Sequence, residues 1–190
     1  MTPSNQESPT GAPAPRANSA ATLVDNKVII FGGHGGIGYA RMSFNDMFIF
    51  DFETHAWEEI VYENPAPEGR GGHTIFSLGR KIYIYGGWNQ ESQFYNVLEF
   101  DLDSKMWTDP DIYNEIPRWN HSAIMVEAIP SWKYFIFGGE TGEFPEGGPR
   151  NFGTCVNTAC YLDIETMHWT TMQIENEDSD NPIVPSPREY

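Results

Sequence analysis

The residues most suggestive of chemistry are the glycines of "FGGHGGIG" at 31–38. Gly33, Gly35 and Gly38 fit G-x-G-x-x-G, and the apolar run "KVIIF" before them reads as a strand, so the stretch has the form of a dinucleotide-binding turn. That turn needs a crossover helix behind it and an acidic residue about 20 positions on. Here another short strand follows instead, and the glycine pair recurs twice further along without the third glycine. The histidines, His34, His55, His73, His121 and His168, include no pair at the spacing of a helical metal motif. Carboxylates gather at Glu140, Glu143 and Glu146 and again at Glu175, Glu177, Asp178 and Asp180, where they read as solvated acidic loops. Cys155 and Cys160 are five apart; on a single strand an odd spacing sends side chains to opposite faces, so they read as two free thiols. No catalytic residue, metal ligand or cofactor is assigned from these patterns.

Charge narrows the partners. Eleven Lys and Arg against 27 Asp and Glu leave a net charge of −16. Such a field repels phosphate backbones and anionic lipid, so neither nucleic acid nor a membrane surface is expected as a partner, and a protein with a basic patch is the better match. The first residues, "MTPSNQESPTGAPAP", have no apolar core and no early cation, so they read as a disordered leader rather than a secretory signal. No apolar run has the length of a membrane helix. Unpaired cysteines without C-x-x-C suit a reducing, cytoplasmic setting, with a cytoskeletal association as one form of it.

The glycines belong to a repeat. "KVIIFGG" at 27–33 returns as "KIYIYGG" at 81–87 and "KYFIFGG" at 133–139, so the pairs are Gly32-Gly33, Gly86-Gly87 and Gly138-Gly139. Arg16, Arg70 and Arg118 each stand before one of these strings. A further apolar strand closes each unit, and Asp51 to Trp57, Asp101 to Trp107 and Asp163 to Trp169 are all six residues apart. A period near fifty with this punctuation signals a repeat architecture.

The combination resembles the kelch repeat over roughly 15–172. The resemblance implies an all-β fold of three four-stranded antiparallel blades from an incomplete β-propeller. The units divide as 1–12 (leader), 13–62, 63–112 and 113–173 (blades one to three), and 174–190 (an acidic linker and the start of a fourth). That last start is suggested by "PSPREY", which copies the opening of the earlier units. The ring would then need further blades or another chain. The glycine pairs are expected to leave the sheet where only glycine fits, and Trp57, Trp107 and Trp169 to be buried between blades.

Function follows from the resemblance too. In kelch adaptors, partners are met by the residue after the glycine pair and by residues around the opening arginine. Carried over, the binding face comprises His34, Trp88, Glu140, Arg16, Arg70, Arg118 and Trp119. The expected role is a non-enzymatic protein-interaction scaffold. The alternative is the regulatory or substrate-binding part of a larger kelch enzyme, either a metal-centre oxidase or a kelch-linked phosphatase. The copper set of galactose oxidase and the iron site of the plant nitrile-specifier proteins do not map onto this chain.

Overall fold

The computed structural model describes residues 11–36, 42–142 and 153–172, and all regular structure among them is β. Blade one is β1 (Ala20–Val24), β2 (Lys27–Phe31), β5 (Met47–Asp51) and β6 (Ala56–Glu59), paired in that order. A two-stranded ribbon, β3 (His34–Gly35) with β4 (Met42–Ser43), stands in its second connection. Blade two is β7 (Thr74–Leu78), β8 (Lys81–Tyr85), β9 (Asn96–Asp101) and β10 (Met106–Tyr113). Blade three is β11 (Ser122–Glu127), β12 (Trp132–Phe137), β15 (Ala159–Asp163) and β16 (His168–Thr171), with its own ribbon β13 (Glu140–Thr141) and β14 (Thr154–Cys155). Every neighbouring pair is antiparallel. This is the bladed all-β fold expected from the repeat, and the three blades do not close a ring.

Local chemistry explains the strand ends. Asp25 and Asn26 both adopt positive φ (47° and 64°), which suits the tight two-residue hairpin between Val24 and Lys27. In the matching hairpin of blade two, between Leu78 and Lys81, Gly79 takes the left-handed conformation at 58°. The third blade spaces the same hairpin so that Glu127 pairs with Trp132. The constant Asp-to-Trp interval is a turn. Asp51 Oδ1 accepts the N–H groups of Glu53 and Thr54, and Asp101 and Asp163 repeat this with Asp103 and Ser104 and with Glu165 and Thr166. The turn ends on a residue of positive φ each time (His55, Lys105, Met167), two before the tryptophan.

The cores lie between blades. Val24, Ile29, Phe31 and Met47 of blade one pack with Ile82, Ile84, Leu98, Phe100 and Trp107 of blade two. Phe76, Tyr83, Tyr85 and Val97 on the other face of blade two pack with Tyr134, Ile136, Cys160 and Leu162. Alternating residues of one sheet thus serve two cores, which is why the strands are apolar on both faces. Trp107 reaches back to Phe31 of the preceding blade at 5.2 Å between ring centroids, and Trp169 reaches back to Tyr85 at 4.7 Å. Trp57 has no described blade before it; it is half-buried against its own Phe50. The outer faces of the set remain apolar and open: Leu23 is 59% exposed on blade one and Ile124 62% on blade three. The first strands β1, β7 and β11 approach one another, which places them nearest the axis.

The cysteines do not share a strand: Cys155 is in β14 and half-buried, Cys160 in β15 and buried, and both are free. Among the described residues no helix is long and apolar enough to cross a membrane, and no group of three His, Cys, Asp or Glu side chains is placed to hold a metal.

Candidate interaction face

Each opening arginine acts as a strut inside its own blade. Arg16 Nη1 donates to the Gly32 carbonyl at 3.0 Å, Arg70 Nη1 to Gly86 at 3.2 Å and Arg118 Nη1 to Gly138 at 3.1 Å. A polar residue at the start of the third strand completes each set. Asp46 takes two hydrogen bonds from Arg16 (2.6 and 3.0 Å), Asn96 Oδ1 takes one from Arg70 (3.4 Å), and Thr158 takes two from Arg118 through its carbonyl (3.3 Å) and hydroxyl (3.0 Å). Arg70 and Arg118 are only 2% and 1% exposed. Burial pulls Arg70 down to about 9, against the opposing pull of Glu68 and Asp109. The guanidinium groups therefore lie beneath the face expected to carry them. They position it, because a buried cation must spend its donors on nearby acceptors.

Above the struts, the residue after each arginine pairs with the residue after each glycine pair. Ala17 bridges His34, Gly71 bridges Trp88 and Trp119 bridges Glu140, each through two backbone hydrogen bonds of 2.7–3.1 Å. Neighbouring blades bring these pairs into a row. The His34 and Trp88 ring centroids are 4.8 Å apart and those of Trp88 and Trp119 6.4 Å. His34 Nδ1 lies 3.0 Å from Ser43 Oγ, and Asn120 Nδ2 donates to Glu140 Oε1 at 2.9 Å. The row fits together because Gly71 and Gly153 have no side chains. A Cβ on Gly71 would sit 2.4 Å from His34 Nε2, and one on Gly153 2.4 Å from Trp119 Cζ2.

Exposure separates the members. Trp119 is 5% exposed, and His34 and Glu140 are also buried; Trp88 is the half-buried ring of the row, flanked by Asn89, Gln90, Ser92 and Gln93. Glu140 is thus a buried acceptor in the row rather than part of a solvated acidic loop. Glu143, Glu146, the 175–180 carboxylates and "PSPREY" lie outside the described residues. The six structural glycines all have positive φ, from 67° at Gly32 to 97° at Gly33. The strut partners Asp46, Asn96 and Thr158 escaped sequence reasoning, although the aligned strings "NDM", "YNV" and "NTA" hold a polar residue at that place in every unit. The role of Gly71 left no such signal, since the other units have Ala17 and Trp119 there.

Comparison with known proteins agrees with this geometry. The family model for the KLHDC2/KLHL20/DRC7 Kelch-repeats domain matches residues 1–190. The chain is 30% identical over 170 residues to the flagellar outer-arm dynein alpha chain of Chlamydomonas reinhardtii, a match covering 83% of this chain and 4% of that one. It is 31% identical over 137 residues to tip elongation aberrant protein 1 of Schizosaccharomyces pombe, covering 68% and 12%. It is 27% identical over 161 residues to human Kelch domain-containing protein 3, covering 83% and 40%. The chain therefore spans less than half the length of these relatives. With three strut-and-glycine units in the structure and a match along its whole length, the chain belongs to the kelch-repeat family.

Proposed function

We propose that this chain is a non-enzymatic protein-interaction scaffold that meets its partner through the row led by Trp88. The observation that carries this reading is the convergence of three equivalent backbone bridges, which sets the half-buried Trp88 over a buried layer of His34, Trp119 and Glu140. An aromatic ring fixed in advance loses little conformational entropy on binding, and tryptophan is among the side chains most enriched at hot spots. Kelch repeats generally mediate protein–protein interaction, and membership of the family supports the reading. The partner offers a basic patch, matching the net charge of −16. The setting is cytoplasmic; the flagellar outer arm named for one relative is in keeping with a cytoskeletal assembly.

The test is a pull-down with Trp88→Ala and Trp88→Phe, each checked for folding by circular dichroism. Trp88→Ala loses the partners that the parent chain recovers, and Trp88→Phe keeps most of them. Recovery of the same partners by a folded Trp88→Ala chain overturns the assignment.

A further inference from the structure

Blade two departs from its neighbours at its outer edge. β6 and β16 stop after four residues, but β10 runs for eight, with a register shift between Thr108 and Ile112. The shifted segment is Asp109-Pro110-Asp111, in which Asp111 adopts φ 58° and donates its N–H to Asp109 Oδ1 at 2.9 Å. The extension carries Tyr113 alongside Tyr95, with ring centroids 5.5 Å apart, and the Asn114 N–H holds the two segments together at the Tyr95 carbonyl (2.9 Å). Large aromatic rings are normally covered, yet Tyr95 is 48% exposed and Tyr113 46%.

These rings line a cleft of about 340 Å³ with Glu68, Phe94, Asn96 and Asp109. Its charge is negative. Glu68 and Asp109 in its lining and Asp111 beside Tyr113 are all exposed, whereas the cation among its described lining residues, Arg70, is buried with its guanidinium 3.7 Å from the Phe94 ring centroid and donors spent on Gly86 and Asn96. Tyr113 Oη lies 3.5 Å from Asp109 Oδ2 and 3.4 Å from Asp111 Oδ1, so the carboxylates stand beside the aromatic wall. The field of Asp109 holds the Tyr113 hydroxyl above its ordinary range. Exposed aromatic faces next to carboxylates are what a guanidinium or ammonium group seeks, since the ring quadrupole and the carboxylate attract the same charge.

We propose that this cleft binds an arginine or lysine side chain presented by an extended segment of the partner protein. The proposal deepens the scaffold reading, because it gives the basic partner a site distinct from Trp88.

The experiment immobilises the full chain and passes over it a Gly/Ser peptide carrying one arginine, then the same peptide with the uncharged isostere citrulline and with glutamate. The arginine peptide binds, and citrulline weakens it by about fivefold or more. Tyr95→Ala, Tyr113→Ala and Asp109→Asn each weaken the arginine peptide to a similar degree, whereas Tyr95→Phe keeps it, because the ring face and not the hydroxyl makes the contact. Glu58→Gln, on the exposed outer strand of blade one, leaves it unchanged and so controls for the general field. Trp88→Ala also leaves it unchanged, which keeps failure here distinct from failure of the Trp88 assignment. Equal binding of the citrulline peptide, preference for glutamate, or indifference to all three cleft variants overturns the proposal.

Discussion

The Gly33 N–H donates to the Arg70 carbonyl at 2.8 Å across the boundary between the first two blades, and Gly87 repeats the bond with Arg118 at 2.9 Å across the next. One arginine thus works in two directions. Its side chain braces the glycine turn of its own blade, and its carbonyl receives the glycine turn of the blade before. The first glycine of each of these two pairs is pressed against the same carbonyl: a Cβ on Gly32 would lie 2.6 Å from Arg70 O, and one on Gly86 2.5 Å from Arg118 O.

Substitution at these glycines combines backbone strain with a clash. Gly32→Ala and Gly86→Ala should each cost more than the roughly 1–3 kcal/mol of a strained backbone alone. Gly79→Ala supplies the reference, since Gly79 has positive φ (58°) but nothing within 4 Å of its Cβ position. Urea denaturation checks this. Equal losses at Gly79 and Gly86 would show that the carbonyl contact contributes nothing.

His73 and His121 set an acid limit. Burial, then the neighbouring cations Arg70 and Arg118, holds both imidazoles down at about 3, so they are neutral in the fold. The other histidines in play are His34 facing His73 and His73 facing His121. The unfolded chain binds protons at these two sites below about pH 6.5 and the folded chain does not. Their contribution is therefore complete above that pH and is lost as pH falls from 6.5 towards 3, at about 1.4 kcal/mol per pH unit for each histidine. Asp51, held at about 2 by Lys27 and by the turn N–H groups of Thr54 and Glu53, acts below pH 4, in a lower window. His73→Gln should roughly halve the slope of stability against pH between 6 and 4. An unchanged slope would place the acid sensitivity elsewhere.

Trp107 and Trp57 occupy equivalent places with different surroundings. Trp107→Ala should cost about 3–5 kcal/mol, since it empties a site among Phe31, Tyr62 and Phe100. Trp57→Ala should cost less than half as much. The open faces should also make the chain self-associate, and Leu23→Lys with Ile124→Lys should reduce the mass seen by light scattering. A stable monodisperse monomer of the parent chain would contradict the exposure of these faces.

Thiol labelling separates the cysteines. Cys155 should be alkylated promptly in the native chain. Cys160 is buried, its thiol pushed up by burial and 3.5 Å from Asn114 Nδ2, and should react only as blade three opens. Mass spectrometry under native and denaturing conditions reads both; equal native rates would contradict the packing.

What recurs was legible in the sequence. The glycine pairs, the strands and the tryptophan interval repeat, and each marks a local requirement met three times. What depends on distant partners was not. An arginine that opens a unit reads as a surface residue until Asp46, Asn96 or Thr158 arrives at the start of the third strand to receive it. Trp119 reads as an exposed loop ring, but Gly153 leaves the space that takes it in. Ser19 stands where the later units have His73 and His121, which lie edge-on to Phe31 and Tyr85 of the preceding blade at 5.4 and 5.2 Å. Local spacing holds no record of such encounters.

The latch between blades consists of main-chain atoms on both sides, an N–H and a carbonyl, and so carries no address. Any unit that ends its second strand in a glycine pair can dock on any unit that begins with the braced arginine. A kelch array can on this ground be lengthened, shortened or recombined by whole units without redesigning its seams. The order of blades then rests on the side chains that cross each seam, among them Trp107 and His73 on Phe31, Trp169 and His121 on Tyr85, and Arg80 paired with Asp25.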